Sequence, residues 1–271
     1  MATLQWDPST DMPNLEGRVA VVTGGSSGIG LDEAKARKAK EKLTKDADIN
    51  PRNIQYLVMD LYDPVSITHA VDELKRSETK LHILINNAAA STSSAMLVDG
   101  KYEQHMVANH MGPFILINRL LSLLKTAAKE PNADVRIVNL SSTASISMLP
   151  ANFKFNFDSP TCFKDPVPSY PWQWRFLGRF MFGFDMIRAI ARASFLTAEQ
   201  GAANSLFAAT ATEVKEDSLK YKGKFLVPVG KLEEPNPVAR DDQQVKGLWE
   251  NTVVEVNTWL MDKKLPVVDA W

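Results

Sequence analysis

The sequence is poor in cysteine and carries no excess of charge, and each shortage excludes a class of protein. Cys162 is the only cysteine among 271 residues, so a disulfide framework within the chain is excluded and a reducing compartment is expected. Lysine plus arginine number 31 and aspartate plus glutamate number 32, which leaves a net charge of −1. General attraction to nucleic acid or to an anionic membrane is therefore not expected. We expect a soluble, cytoplasmic globular protein.

Long uninterrupted apolar segments are also lacking. Residues 1–17 have neither the basic segment nor the apolar segment of a secretory signal. The longest apolar stretch, 176–196, contains three arginines and one aspartate, which is too much charge for a transmembrane segment. The aromatic region 171–184 is compatible with core, a hydrophobic substrate wall or a membrane-surface contact, and core is favoured. The four histidines have no metal-ligand spacing, so no metal site is expected.

Short apolar runs alternate with helical patterns along the chain. The runs have the Val, Ile and Leu content of buried parallel strands, and they lie at 18–23, 54–59, 81–86, 135–140 and 223–230. The helical patterns lie at 33–46, 64–78, about 100–129, 197–211 and 239–261. This alternation predicts an α/β protein, a single Rossmann-like domain over 1–271 with a doubly wound parallel sheet of about five strands and helices on both faces. Around it we expect an N-terminal extension (1–16), an insertion (150–184) and a C-terminal helix and tail (231–271).

The stretch TGGSSGIG, residues 23–30, is the first candidate for a functional site. It follows the first predicted strand and precedes a predicted helix, where backbone N–H groups converge on a phosphate in dinucleotide-binding folds. A glycine pattern alone is weak, and a purely structural turn is the alternative. Its position in an alternating chain favours the phosphate site. The candidate cofactor-binding residues in this turn are Thr23, Gly24, Ser26, Ser27, Gly28, Ile29 and Gly30.

Together with four further segments, this turn resembles the short-chain dehydrogenase/reductase family. The segments are MDL at 59–61, INNAAA at 85–90, VANHMGPFILINRLL at 107–121 and RIVNLSS at 136–142. The region from 223 onward is similar to the end of larger, retinol-dehydrogenase-like fungal members. The resemblance covers about 15–271 and is not continuous.

The resemblance implies an oxidoreductase that uses NADP, with NAD not excluded. It implies a hydrophobic alcohol or carbonyl compound as the small-molecule substrate, with a role in secondary metabolism and a homodimer as further expectations. The family's adenine and ribose contacts correspond to Asp60, Leu61, Asn87, Ala88 and Ala89. Its catalytic relay asparagine corresponds to Asn109, and its carbonyl-polarising serine corresponds to Ser142.

One family segment is missing between the glycine turn and the predicted adenine contact. Only 29 residues separate Gly30 from Asp60, whereas two helices, a strand and their turns need about 40. The missing strand carries the residue that selects between the ribose 2′-OH and 2′-phosphate. Its loss is expected to let the run 54–59 pair with 18–23. The polar helix 33–46, with only alanines and Leu43 as apolar residues, would then have to cover one face of the sheet.

A second missing segment removes the family's Tyr-x-x-x-Lys pair. None of the five tyrosines has a lysine four residues later, and the resemblance stops at Arg188 and restarts at Ala189. With the sixth family strand also lost, 223–230 is expected to pair with 135–140. Tyr170, with arginines nearby, is a weak candidate for the lost acid, and an aromatic side chain lining a pocket or surface is the favoured alternative.

Three hypotheses follow from these matches and gaps. The chain is an oxidoreductase of the short-chain class, or a catalytically impaired relative that binds a nucleotide without turnover, or the product of a shortened transcript or gene model of an active enzyme. Loss of the proton donor predicts at least a hundredfold less reductase activity than in a chain with the pair restored.

Overall fold

The computed structural model describes residues 6–25, 33–46, 50–90, 96–142, 156–164 and 198–269. Within these ranges the strands are β1 (Ala20–Val22), β2 (Ile83–Asn86), β3 (Leu97–Val98), β4 (Tyr102–Glu103), β5 (Arg136–Asn139), β6 (Phe225–Val227) and β7 (Lys231–Glu233). The α-helices are α1 (Pro8–Asp11), α2 (Glu33–Asp46), α3 (Pro64–Ser77), α4 (Gln104–Met106), α5 (Gly112–Ala127), α6 (Ala198–Thr210), α7 (Thr212–Glu216), α8 (Ser218–Tyr221) and α9 (Asp242–Asp262). A π-helical turn, Val107–Met111, joins α4 to α5.

A parallel sheet in the order β1-β2-β5 forms the centre of the described residues. Ala20 lies opposite Ile83, and Ile83 lies opposite Arg136. All four residues of β2 are buried, as expected for a central strand with cover on both faces.

Helices lie on both faces of this sheet. Leu84 belongs to the main core with α3 and α5, whereas Ile83 and Ile85, which point the other way, pack with Ala209 of α6. The α/β class, with a parallel sheet flanked by helices, is therefore confirmed.

The main core is built from helices whose apolar residues recur at helical spacing. In α3 the Asp63 carboxylate accepts a hydrogen bond from Val65 N at 2.9 Å and caps the helix. The buried residues of α3 then follow at intervals of three or four and face α5, whose buried side is longer and more apolar. The closing helix α9 adds Val256, Trp259 and Leu260 to the same core.

Two of the five predicted strands do not join the parallel sheet. The run 54–59 has no strand structure, so the predicted pairing with the first strand is wrong. Leu57 and Met59 nevertheless pack against the main core. The apolar character of the run is thus explained by side-chain burial without a backbone ladder.

The run 223–230 is the second predicted strand that does not join the parallel sheet. Its β6 pairs antiparallel with β7, so that Phe225 lies opposite Glu233, and the predicted pairing with 135–140 is wrong. Gly230, with a φ of +70°, supplies the left-handed residue that a tight connection needs. A local hairpin closes a much shorter loop than a parallel crossover does, and therefore costs less chain entropy.

The helix α2 occupies the predicted position, but its role differs from the expectation. Leu43, its one large apolar residue, is 47% exposed, so it does not cover a sheet face. The α6 side of the sheet is instead covered partly from the N-terminal segment, where Leu15 packs near Ile83 and Ile85.

Among the helices in the described ranges, none is both long enough and apolar enough to cross a membrane.

Candidate functional site

The carboxyl ends of β1 and β2 bring two predicted cofactor segments together. The Thr23 hydroxyl oxygen accepts hydrogen bonds from Asn87 N at 3.0 Å and from Ala88 N at 2.9 Å. The Asn87 side-chain amide donates to Thr23 O at 3.0 Å. Thr23 itself is only 5% exposed. One threonine therefore fastens the start of the glycine turn to the segment after β2, at the edge where α/β sheets bind ligands.

Gly24 is in direct contact with that second segment. Its φ is +75°, and a Cβ added to it would lie 2.9 Å from Ala88 Cα. A side chain is therefore excluded both by the left-handed backbone and by the neighbouring chain. This close contact between Gly24 and Ala88 explains why glycine follows Thr23. It also shows that the turn and the Asn87–Ala88 segment form one wall of a crevice.

Asn109 fixes the far end of the same segment. It lies in the π-helical turn before α5, a type of distortion that is common at functional sites. Its Oδ1 accepts a hydrogen bond from Ala90 N at 2.6 Å, and its Nδ2 donates to Ala90 O at 3.0 Å. In this structure the Asn109 amide therefore holds the backbone that ends the INNAAA segment.

The loop that carries Asp60 and Leu61 is held against the start of α5. Asp60 Oδ1 accepts a hydrogen bond from Tyr62 N at 2.9 Å, and Asp60 N donates to Ser66 Oγ at 3.0 Å. A Cβ at Gly112 would lie 2.6 Å from Leu61 O. The end of the INNAAA segment is thus anchored by the π-helical turn, and the loop of Asp60 contacts the first residue of α5 directly after it.

Sequence reasoning did not single out a pair of asparagines at the ends of β2 and β5. Asn86 Nδ2 donates to Asn139 Oδ1 at 2.7 Å. The Oδ1 of Asn86 is buried and has no hydrogen-bond partner within the described part of the chain. A polar side chain that ends an otherwise apolar buried strand was the signal that could have identified Asn86. Ser142 is exposed three residues beyond β5, on the same edge of the sheet.

Several predicted residues lie outside the described ranges. They are Ser26, Ser27, Gly28, Ile29, Gly30 and Tyr170. Ala89 is described and exposed, between the two anchored positions of its segment.

Three of the described tyrosines are placed poorly to donate a proton in the crevice. Burial, followed by the charges of Asp60 and Glu103, raises the pKa of Tyr62 above its usual value. Burial and the neighbouring Glu255 likewise raise the pKa of Tyr102, whose hydroxyl donates to Glu255. The Tyr221 hydroxyl donates to Glu213. A phenol that serves as general acid near neutral pH needs a lowered pKa instead.

His110 adjoins Asn109 in sequence but turns away toward α9. Its Nε2 lies 2.7 Å from the Thr252 hydroxyl, which donates its own proton to Leu248 O at 2.5 Å. His110 Nε2 must therefore be the donor, a role open to both the neutral and the protonated ring. Burial lowers the pKa of His110 to about 4, which favours the neutral form, with its one proton on Nε2.

The residues from β1 to the region after β5 match one family. A sequence profile of the family described as short chain dehydrogenase matches residues 18–154, about half of the chain. The chain belongs to the short-chain dehydrogenase family.

Fungal proteins of that family resemble most of the chain. Short chain dehydrogenase/reductase dpfgH of Gibberella zeae is 28% identical over 94% of this chain and 86% of its own. Short chain dehydrogenase/reductase dpchH of Colletotrichum higginsianum is 27% identical over 93% of this chain and 77% of its own. Among solved structures, an uncharacterized protein from Mycobacterium paratuberculosis superposes with a TM-score of 0.58 at 19% identity. That likeness covers 93% of this chain and 97% of the mycobacterial one, and it shows a shared fold.

The alignments also bear on the missing segments. They extend over 317 and 314 positions, more than the 271 residues of the whole chain. The relatives must therefore contain internal residues without a counterpart here, in agreement with the prediction that internal family segments are missing.

Proposed function

We propose that the chain binds a nicotinamide dinucleotide, preferentially NADP(H), along the crevice wall formed by Thr23, Gly24, Asn87 and Ala88. The observation that carries this proposal is the pair of hydrogen bonds from Asn87 N and Ala88 N to the Thr23 hydroxyl. Together with the close contact between Gly24 and Ala88, it supports a rigid wall that the ribose and the flat adenine ring could approach closely.

The other cofactor contacts in this proposal follow the family pattern. Residues 26–30 would bind the pyrophosphate through backbone N–H groups, and Asp60, Leu61 and Ala89 would lie along the adenosine. The whole chain is proposed to form one dinucleotide-binding domain. A homodimer and a cytoplasmic location belong to the same proposal.

For the reaction, we propose oxidation or reduction of a hydrophobic alcohol or carbonyl compound by an enzyme of strongly reduced rate. A bound nicotinamide would supply or accept the hydride, and solvent water would supply or accept the accompanying proton. Ser142, at the edge where β5 ends, would donate a hydrogen bond to the substrate oxygen. Asn109 would act by fixing the Ala90 backbone, and thereby the wall beside the cofactor. Neither side chain can deliver a proton at neutral pH, since an amide and an aliphatic hydroxyl are very weak acids.

A second candidate function is dinucleotide binding without turnover. It is favoured by the complete absence of Tyr-x-x-x-Lys from the sequence.

Calorimetric titration with NADPH and NADH tests the binding proposal. The matched variants are Gly24→Ala and Gly100→Ala, because both glycines have a positive φ, +75° and +66°, whereas only Gly24 has a neighbour within 4 Å. Both variants carry the strain of a left-handed alanine, about 1 kcal/mol. We expect Gly24→Ala to weaken NADPH binding at least tenfold and Gly100→Ala to leave it unchanged.

Two results would contradict the proposal. One is the absence of binding by folded wild-type protein at millimolar NADPH. The other is an equal loss of affinity in the two variants. Turnover is measured separately, as NADPH oxidation with a panel of hydrophobic aldehydes and ketones, so that the two candidate functions are distinguished by activity at saturating cofactor.

A further inference from the structure

The closing helix α9 is fixed at both of its ends. At its start the Asp241 carboxylate caps the helix and accepts a hydrogen bond from Gln243 N at 3.0 Å. Toward its end Val256, Trp259 and Leu260 are buried in the main core. A helix held in this way can in turn hold the segments that pack along it.

The segment 156–164 is one of those segments. Phe157 N donates a hydrogen bond to Gln244 Oε1 at 2.8 Å. At the other end of the segment, Lys164 Nζ lies 2.8 Å from Glu255 Oε1. The segment is therefore attached to α9 at two points, one near each of its ends.

His110 contacts both α9 and this segment. The centre of its ring lies 6.2 Å from that of Phe163, with an interplanar angle of 45°. Its Nε2 donates to the Thr252 hydroxyl at 2.7 Å. Phe163 is fully buried and Thr252 is 1% exposed, so water does not compete for this hydrogen bond. The His110 side chain is therefore held by an aromatic contact and by a hydrogen bond that is shielded from solvent.

The backbone of His110 belongs to the π-helical turn that presents Asn109. In this turn Gly112 N donates to Val107 O, five residues back, an arrangement that is rare in proteins. Neighbouring residues of a helix do not face each other. The Asn109 side chain accordingly binds the Ala90 backbone, whereas His110 binds α9. The turn is thus held by Asn109 on the side of the crevice and by His110 on the side of α9.

We propose that His110 is a positioning residue for the crevice: its hydrogen bond to Thr252 holds the π-helical turn in the orientation in which the Asn109 amide binds the Ala90 backbone. His110 does not touch the cofactor and acts through Asn109. The effect on cofactor affinity rests on the function proposed for the crevice, whereas the effect on the Ala90 backbone does not.

Amide hydrogen exchange, measured by NMR on the chain without cofactor, tests the positioning directly. Thr252→Val keeps the shape of the side chain and removes the acceptor of the His110 hydrogen bond, without altering the turn itself. We expect the Ala90 amide to exchange at least about fivefold faster in this variant, because its hydrogen bond to Asn109 opens more easily. Thr252→Ser keeps the hydroxyl and should exchange as wild type does. If Thr252→Val does not fold, His110→Phe, which keeps a ring and removes the donor, takes its place.

Two other amides separate positioning from a general loosening of the fold. The Ala88 amide lies in the same segment as Ala90 but bonds to Thr23. The Val268 amide bonds to Asn257 of α9 at 2.7 Å, so it reports on the packing around α9 itself. Exchange of both amides should remain as in wild type.

Titration with NADPH tests the consequence for the crevice. Thr252→Val should weaken NADPH binding at least about fivefold, and Thr252→Ser should bind as wild type does. In an Asn109→Ala background Thr252→Val should cause no further loss, because both changes act on the same contact. The matched control is Tyr102→Phe, which removes another hydroxyl bonded to α9, at Glu255, and should leave the affinity unchanged.

Several results would overturn the proposal. One is a wild-type exchange rate at Ala90 in folded Thr252→Val, and another is an equal change in Thr252→Ser. An equal increase at Val268, or an equal loss of affinity in Tyr102→Phe, would assign the effect to a loosening of α9. Additive losses of NADPH affinity in the double variant would show that Thr252 does not act through Asn109. If wild-type protein binds no NADPH, the function proposed for the crevice fails, and the exchange rates alone decide whether His110 positions the turn.

Discussion

Thr23 is the residue through which the proposed cofactor crevice and the stability of the fold are coupled. Thr23→Val keeps the shape of the side chain but leaves two N–H groups without their acceptor, those of Asn87 and Ala88. A buried group without a partner costs about 1–3 kcal/mol. Ala88 is half-buried, and Asn87 is exposed and can turn to water, so Asn87 contributes less.

We therefore expect Thr23→Val to lower the free energy of unfolding by about 2 kcal/mol, which changes the folded-to-unfolded ratio about thirtyfold. Thr23→Ser keeps the acceptor and removes one methyl group, so it should cost below about 1 kcal/mol. The assay is urea-induced unfolding. The free energies are compared with the same m-value, the slope of unfolding free energy against urea concentration, for wild type and both variants. In parallel, NADPH affinity should fall in Thr23→Val and be retained in Thr23→Ser.

Two outcomes would refute this reasoning. Thr23→Val with wild-type stability would mean that water replaces the hydroxyl at both N–H groups. A greater loss in Thr23→Ser than in Thr23→Val would mean that the methyl group, and not the acceptor, is the important part of the side chain.

Three further predictions concern stability at acid pH, the buried Arg136 side chain and the rate of turnover. The pKa of His110 is about 4 in the folded chain and about 6.5 in the unfolded chain, so between these values only the unfolded chain binds the extra proton. The free energy of unfolding should therefore fall by about 2–3 kcal/mol as the pH decreases from 6.5 to 4. His110→Gln should flatten this part of the pH profile in calorimetric scans. Arg136→Met should lower the free energy of unfolding by about 1–3 kcal/mol, because it leaves two carbonyl groups at the end of α6 without their donor and removes one of the two arginines that pair with the half-buried Asp134; an unfolding midpoint equal to that of wild type would contradict this. Insertion of a Tyr-x-x-x-Lys helix between Arg188 and Ala189 should raise NADPH-dependent reduction of hydrophobic aldehydes at least about a hundredfold; comparable rates would defeat that claim, and a loss of the residual rate in Tyr170→Phe would identify Tyr170 as the acid.

The sequence predicted those elements whose pattern reflects their burial. The run 81–86 is buried throughout and contains the central strand Ile83–Asn86, and the helical spacing of α3 and α5 reproduces the main core. The α/β class followed from the alternation of such segments, whereas family membership followed from the resemblance of five motifs, beginning with TGGSSGIG at 23–30. Burial patterns and motifs are local in sequence.

The wrong predictions concern segments that are apolar enough for a strand but whose backbone does not pair in the parallel sheet. Leu57 and Met59 are needed by the core, so their run has the composition of a strand without forming one. Phe225 and its neighbours do form a strand, but the paired residues are only four to eight positions away in sequence. Composition carries no information about which partner a strand selects, because partner choice depends on loop entropy and on what else covers the sheet.

At the candidate site, too, the residues could be predicted from the sequence, whereas their contacts could not. The resemblance to family motifs identified Thr23, Asn87 and Asn109, but it could not show that Thr23 binds Asn87 and Ala88 directly. Nor could it show that the oxygen and the nitrogen of the Asn109 side-chain amide both bond to the Ala90 backbone. These contacts join residues 19 to 65 positions apart and follow only from the completed sheet.

The parallel pairing of β1 with β2 also determines how the chain must find its fold. Ala20 pairs with Ile83, and Tyr102 bonds to Glu255 across 153 positions. The chain therefore loses much conformational entropy before the contacts of the core form and compensate for that loss. During that delay the apolar β2 is exposed to other chains. Dilution should therefore raise the yield of refolding, because collision between molecules competes with a slow search within one molecule.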